Sequence, residues 1–199
     1  MKKIPSENIN DLAQFLRAGQ TMVFPTETSY GLGGDATQQE VVDKIFNIKG
    51  RMPSKSLLVI VSSVAEAKKY LVWNNLLDEL VIKYWPGPLT IVGLCRLDVD
   101  LAKGVVSEKN TLAIRVSANP FLQQITSQID FPLIATSANL AGEPDIYDSE
   151  KIEECFQTKN IQPDILVDAG IFPINLPTTI VDISSGELKI IRQGILKIC

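Results

Sequence analysis

Met22-Val23-Phe24-Pro25-Thr26-Glu27-Thr28-Ser29-Tyr30-Gly31-Leu32-Gly33-Gly34 starts apolar, turns polar at proline and closes on glycines. Met22 to Phe24 reads as a strand, ended by the residue types that punctuate strand ends. Loops at strand ends often carry binding and catalytic groups. Gly31, Gly33 and Gly34 permit positive φ and close approach of the backbone to a ligand, or they merely shape a polar turn. The stretch alone leaves both readings open. It is not a GxGxxG fingerprint, and no GxxxxGK[ST] loop occurs in the chain.

Outward from this strand, further strands are predicted at Leu57 to Val61, Leu89 to Leu94, Thr111 to Val116, Pro132 to Ala135, Ile165 to Val167, Thr178 to Ile183 and Leu188 to Arg192. Thr37-Gln38-Gln39-Glu40 and Ser63-Val64-Ala65-Glu66 fit the capping box and predict helices after them. Asn119-Pro120 places a capping side chain before a first-turn proline and predicts a helix through Phe121, Leu122 and Ile125. Leu76, Leu77, Leu80, Val81 and Tyr84 form a core-facing helical stripe ended by Pro86-Gly87-Pro88. Interleaved helices and strands imply an α/β fold. The helix-free final strands add antiparallel pairing, so the expected architecture is a twisted mixed parallel/antiparallel sheet with flanking helices.

The chain has 199 residues, 45% apolar and 21% charged, with no repeat or linker-like tract, and is expected to form one domain over residues 1–199. No apolar run approaches the roughly 20 residues of a membrane span. The N-terminus turns polar and acidic where a secretory signal needs an apolar stretch, which predicts a cytosolic, cytoplasmic protein. Cys95, Cys155 and Cys199 are too few and too dispersed for a disulfide framework or a CxxC motif. The absence of histidine removes Ser-His-Asp, Cys-His and HExxH chemistry. A net charge of −4 argues against nucleic-acid binding by overall positive charge. A local patch remains available at Lys49-Gly50-Arg51-Met52-Pro53-Ser54-Lys55, either as a ligand site or as a solvated turn.

Two other places carry polar side chains on ordered elements. Strand alternation puts Thr111, Ala113 and Arg115 on one face and Leu112, Ile114 and Val116 on the other. A planar guanidinium there suits a carboxylate or phosphate, although a solvated arginine gives the same pattern. Pro132-Leu133-Ile134-Ala135-Thr136-Ser137-Ala138-Asn139 runs from an apolar strand into hydroxyls and an amide, which can orient a polar substrate or cap a turn. Residue chemistry by itself names no reaction.

Taken in order, five pieces resemble the YrdC/TsaC family of threonylcarbamoyl-AMP synthases from about Ala13 to Gly194. They are Pro25-Thr26-Glu27-Thr28 with Tyr30-Gly31-Leu32-Gly33, Lys49-Gly50-Arg51, Trp85-Pro86-Gly87-Pro88-Leu89-Thr90, Ala113-Ile114-Arg115-Val116, and Ser137-Ala138-Asn139 followed by Gly142. The resemblance implies a YrdC-like domain with a central basic cavity. It also implies conversion of L-threonine, bicarbonate and ATP to threonylcarbamoyl-AMP and pyrophosphate, with Mg2+ accompanying ATP and no protein-ligated metal. Partner enzymes would then transfer threonylcarbamoyl to an adenosine beside the tRNA anticodon.

By the family pattern, Thr28, Arg115, Ser137 and Thr178 are expected around threonine or its carbamate. Lys49, Arg51, Lys55, Thr111, Asn139 and Arg192 are expected around ATP, with Lys49 and Arg51 catalytic. The chain departs from the pattern at Met52, at Asp145-Ile146-Tyr147 in place of Ser-Pro-Thr, at Pro177-Thr178-Thr179 in place of Glu-Ser-Thr, and at Gln193. A competing expectation is a non-catalytic double-stranded RNA or tRNA-binding factor using the same cations. Another is the related carbamoyl-adenylate domain of hydrogenase maturation proteins, whose other domains this length does not accommodate.

Overall fold

The computed structural model describes residues 1–50 and 56–198. In chain order the elements are β1 (Lys2–Pro5), α1 (Ile9–Arg17), β2 (Met22–Pro25), β3 (Tyr30–Gly33), α2 (Gln39–Lys49), β4 (Leu58–Ile60), α3 (Val64–Tyr70), α4 (Asn75–Tyr84), β5 (Leu89–Leu94) and β6 (Thr111–Arg115). They continue as α5 (Pro120–Gln128), β7 (Leu133–Ile134), β8 (Thr136–Ser137), α6 (Ser149–Phe156), β9 (Ile165–Asp168), β10 (Thr179–Asp182) and β11 (Lys189–Arg192). The strands form two sheets, ordered β1-β9-β2-β3-β8 and β11-β10-β5-β6-β4-β7. Pairing is mixed: β9 runs parallel to β1 and β2, β10 parallel to β5, and β4 parallel to β6, whereas β2-β3, β3-β8, β4-β7, β5-β6 and β10-β11 are antiparallel.

Period-two alternation divides the apolar side chains between two cores. Met22, Phe24, Ile165 and Val167 join Leu12, Leu16, Leu122 and Ile125 of α1 and α5 in the smaller one. Val23 and Leu166, one residue out of phase, enter the larger core with Val59, Ile91, Leu112 and Ile114. Arg115 follows from the same rule. With Leu112 and Ile114 fully buried in the larger core, the arginine is turned to the opposite face of β6.

Most helix starts obey local chemistry. Ser63 Oγ accepts from the Glu66 amide at 3.1 Å, Asn74 Oδ1 from Leu77 at 2.9 Å, and Asn119 Oδ1 from Leu122 at 3.1 Å, with Pro120 in the first turn. Asn8 before α1 makes no side-chain cap, and neither does Thr37. The helix α2 begins after Gln38 without a side-chain cap, because the Thr37 amide and hydroxyl both donate to Asp35 Oδ1 at 2.8 and 2.7 Å. The buried carboxylate outcompetes the capping geometry as an acceptor.

Tyr30-Gly31-Leu32-Gly33 is a fully buried strand, paired with β2 on one side and β8 on the other. Its glycines and Gly34 have no positive φ. They are small because the chain is crowded: a Cβ at Gly33 would lie 1.7 Å from the Ile134 carbonyl oxygen, and one at Gly31 would lie 3.0 Å from both the Phe24 ring and the Thr26 methyl. Of the two properties expected of these glycines, close approach applies, and the partner is the protein's own backbone and side chains.

Candidate active site

The turn from β2 to β3 is organised by Thr26. Its Oγ1 accepts from the amides of Thr28 and Ser29 at 3.1 and 3.2 Å and donates to the Ser29 carbonyl at 2.7 Å. Thr28 Oγ1 lies 3.1 Å from Thr26 Oγ1. This hydroxyl-rich turn from the first sheet faces β6 and β10 of the second across a pocket of about 320 Å³. Thr28, Arg115, Ser137, Thr178 and Arg192 line it together with Thr26 and Asp145. Five residues spread over more than 160 positions of sequence thus meet in one concavity.

Arg115 is the dominant charge at the wall and is only 3% exposed. Its Nη1 sits 2.9 Å from Glu27 Oε1, yet neither Nη1 nor Nε makes a well-aligned hydrogen bond. Burial holds the guanidinium pKa below its ordinary value, Glu27 opposes that, and the nearby Arg192 adds to it. Glu27 offsets the buried charge, while Nε is left without an acceptor, which is costly in a buried group. Arg192 is braced differently: Nε donates to the Thr178 carbonyl and Nη2 to Thr178 Oγ1, both at 3.0 Å. Burial lowers its pKa, and Asp145 works against that.

The Ser137-Ala138-Asn139 loop is tied from beneath. Lys49, 4% exposed at the end of α2, donates through Nζ to the Ser137 carbonyl at 2.6 Å and to both the carbonyl and Oδ1 of Asn139 at 3.0 Å. Ser137 Oγ donates to Asn139 Oδ1 at 2.7 Å, and Asn139 Nδ2 donates to the Glu143 carbonyl at 2.5 Å. Lys49 and Asn139 therefore meet each other and Ser137 rather than appearing among the groups that line the pocket. Thr111 opens on a neighbouring depression of about 990 Å³, which shares Ser56 with the first pocket. Arg51 and Lys55 lie outside the described residues.

Glu27, Ser117 and Asp145 complete the electrostatics of the site. Glu27 belongs to the stretch quoted first, but nothing in the sequence couples it to a strand arginine 88 positions later. Among the described residues no group of three or more Cys, Asp or Glu side chains is placed to hold a metal ion. No described helix is long and apolar enough to cross a membrane.

A family model for Sua5, YciO and YrdC proteins, described as telomere recombination, matches residues 14–194. The chain belongs to the Sua5/YciO/YrdC family. A threonylcarbamoyl-AMP synthase of Psychromonas ingrahamii is 28% identical over 187 residues, covering 92% of this chain and 96% of that protein. A threonylcarbamoyl-AMP synthase of Pyrococcus abyssi is 29% identical over 196 residues, covering 97% of this chain but 56% of the longer relative. The crystal structure of P. abyssi Sua5 complexed with L-threonine superposes with a TM-score of 0.86 at 26% identity, over 97% of this chain and 56% of that one. The mixed sheets with flanking helices are the architecture this family member shares.

Proposed function

We propose that this family member is a threonylcarbamoyl-AMP synthase, making the activated carbamate from L-threonine, bicarbonate and MgATP for tRNA modification. The observation that carries the reading is the buried Arg115 guanidinium, ion-paired to Glu27 through Nη1 and set at the wall of a pocket lined by hydroxyls. That combination suits a small anion bearing a hydroxyl and an amine. The names of the P. ingrahamii and P. abyssi relatives, and the threonine in the P. abyssi structure, supply the substrate.

In this reading Arg115 takes the threonine carboxylate, while Thr28, Ser137 and Thr178 bond its polar atoms and the carbamate. Threonine's amine and carbon dioxide from bicarbonate form an N–C bond with loss of a proton, giving a carbamate anion. A carbamate oxygen then forms the bond to the α-phosphorus, and the bond from that phosphorus to the bridging oxygen breaks. Pyrophosphate leaves with the electron pair. The nucleophile is already anionic, so no histidine or other strong base is required.

The protein's contribution is in-line positioning and offsetting of phosphate charge. Lys49, Arg51, Lys55, Thr111, Asn139 and Arg192 are assigned to ATP, the first two as the catalytic cations. Magnesium arrives with ATP as part of the substrate. Residues 1–199 form a single YrdC-like domain around a central basic cavity, acting in the cytoplasm beside enzymes that transfer threonylcarbamoyl to tRNA.

Incubation with threonine, ATP and carbon-13 bicarbonate, followed by mass spectrometry, tests the reaction. The expected species is threonylcarbamoyl-AMP carrying one heavy carbon. ATP and threonine converted only to threonyl-AMP without the heavy carbon, or left unchanged by the purified protein, would overturn it.

A further inference from the structure

Glu27 is absent from the pocket lining, yet it is fixed from three directions. Ser117 Oγ donates to its two carboxylate oxygens at 3.0 and 3.1 Å. The same Oγ accepts from the Asn119 amide at 3.1 Å, which leaves the single hydroxyl proton to point at Glu27. The Glu27 carbonyl accepts from Asn175 Nδ2 at 3.1 Å. In front of this braced carboxylate stands Arg115, with Nη1 2.9 Å from Oε1.

An arginine side chain gives up rotamer freedom when it is held in one pose. A guanidinium only 3% exposed must also have its charge offset in the empty protein. Glu27 meets both needs from behind, and it leaves the pocket side of the guanidinium to a ligand.

We propose that Glu27, braced by Ser117, is a positioning residue that holds the Arg115 guanidinium at the pocket wall and thereby sets the affinity for the substrate carboxylate. This rests on the reading of the pocket as the threonine site. Glu27 acts through Arg115, not on the reacting atoms, so its removal should fall on threonine binding and spare the chemical step. Glu27→Ala removes the brace. Glu27→Gln keeps the shape and an acceptor oxygen but loses the charge. Ser117→Ala leaves the charge but frees its orientation.

The test measures threonine KM, ATP KM and kcat by pyrophosphate release, alongside the Arg115 Nε–Hε signal in nitrogen-15 spectra of the intact protein. In Glu27→Ala the threonine KM should rise at least about tenfold, with kcat and ATP KM within about twofold of the parent. Glu27→Gln should recover part of that loss. Glu27→Ala/Ser117→Ala should be no worse than Glu27→Ala, because both act through one arginine. The Arg115 signal, sharp in the parent, should broaden in Glu27→Ala and be kept in Glu27→Gln.

An unchanged threonine KM, a fall in kcat at constant KM, or equal rises in both substrates' KM would overturn the proposal. If the parent protein shows no threonine-dependent turnover, it is the substrate reading that fails. The nitrogen-15 signal then decides the positioning claim alone, and a signal equally sharp in parent and Glu27→Ala refutes it.

Discussion

Gly33→Ala inserts one methyl group where the structure leaves no room. An ideal Cβ at Gly33 falls 1.7 Å from the Ile134 carbonyl oxygen and 2.8 Å from its carbonyl carbon, and real Cβ atoms essentially never come under 3.0 Å. The oxygen must therefore retreat by at least 1.3 Å, the difference between those two limits. It is backbone, held by the pairing of β7 with β4 and by the Ile134 amide donating to the Gly34 carbonyl at 2.8 Å, so no side chain can swing aside to absorb the shift. Overpacking costs about 1 to 3 kcal/mol, and one or two disrupted backbone hydrogen bonds add about 1 kcal/mol each. A total of about 2 to 5 kcal/mol corresponds to a fall in Tm of roughly 4 to 20 °C for a chain of this size. Thermal unfolding by circular dichroism checks it. Gly142→Ala is the control: its φ is +87° but nothing lies within 4 Å, so only backbone strain of about 1 to 2 kcal/mol applies. A Gly33→Ala protein as stable as the parent, or less affected than Gly142→Ala, would refute the close-approach account of this strand.

Arg115→Met should weaken threonine binding by about ten- to a hundredfold in calorimetry, the worth of a charge-assisted contact. Adding Glu27→Gln to that variant should restore stability without restoring binding. Lys49→Ala should lower turnover by orders of magnitude in pyrophosphate release. It should also lower Tm, because three acceptors of the Ser137–Asn139 loop lose their shared donor. Burial pushes the Asp164 carboxyl up, but Lys44 at 2.6 Å and the Thr21 amide and hydroxyl outweigh it, so its folded pKa lies below the ordinary value. A depressed carboxylate stabilises above its unfolded pKa, about 3.9, and loses that contribution as pH falls through the folded pKa. Asp164→Asn should therefore lower stability in urea unfolding at pH 7, and the difference should shrink progressively below about pH 4.

Most strands were legible in the sequence to within a residue or two: β2, β4, β5, β6, β9, β10 and β11 are short runs rich in apolar residues. β3 was not, because glycine-rich Tyr30-Gly31-Leu32-Gly33 has the composition of a turn, and its strand state comes from pairing on both sides with β2 and β8. β1 was hidden for a similar reason: its parallel partner β9 lies more than 160 residues away. α1 and α6 had readable signals in Leu12, Ala13 and Leu16, and in the Asp148 cap with Ile152 and Phe156, but they lie outside the motif-bearing segments. At the site, alternation placed Arg115 on the right face of its strand. The Glu27 and Asp145 charges around the arginines were invisible because long-range packing, not spacing, brings them there. The substrate was legible only through the ordered set of motifs, since an arginine facing hydroxyls suits many anions.

Pyrophosphate release from ATP with bicarbonate present, measured with and without L-threonine on the same purified protein, tests the central claim most directly. Release should saturate with threonine, fall to background without it, and drop at least about fivefold in Arg115→Met at threonine concentrations near the parent's KM. Release independent of threonine would contradict the substrate assignment. No release under any condition, accompanied by salt-sensitive binding of double-stranded RNA, would replace the enzyme with an RNA-binding factor.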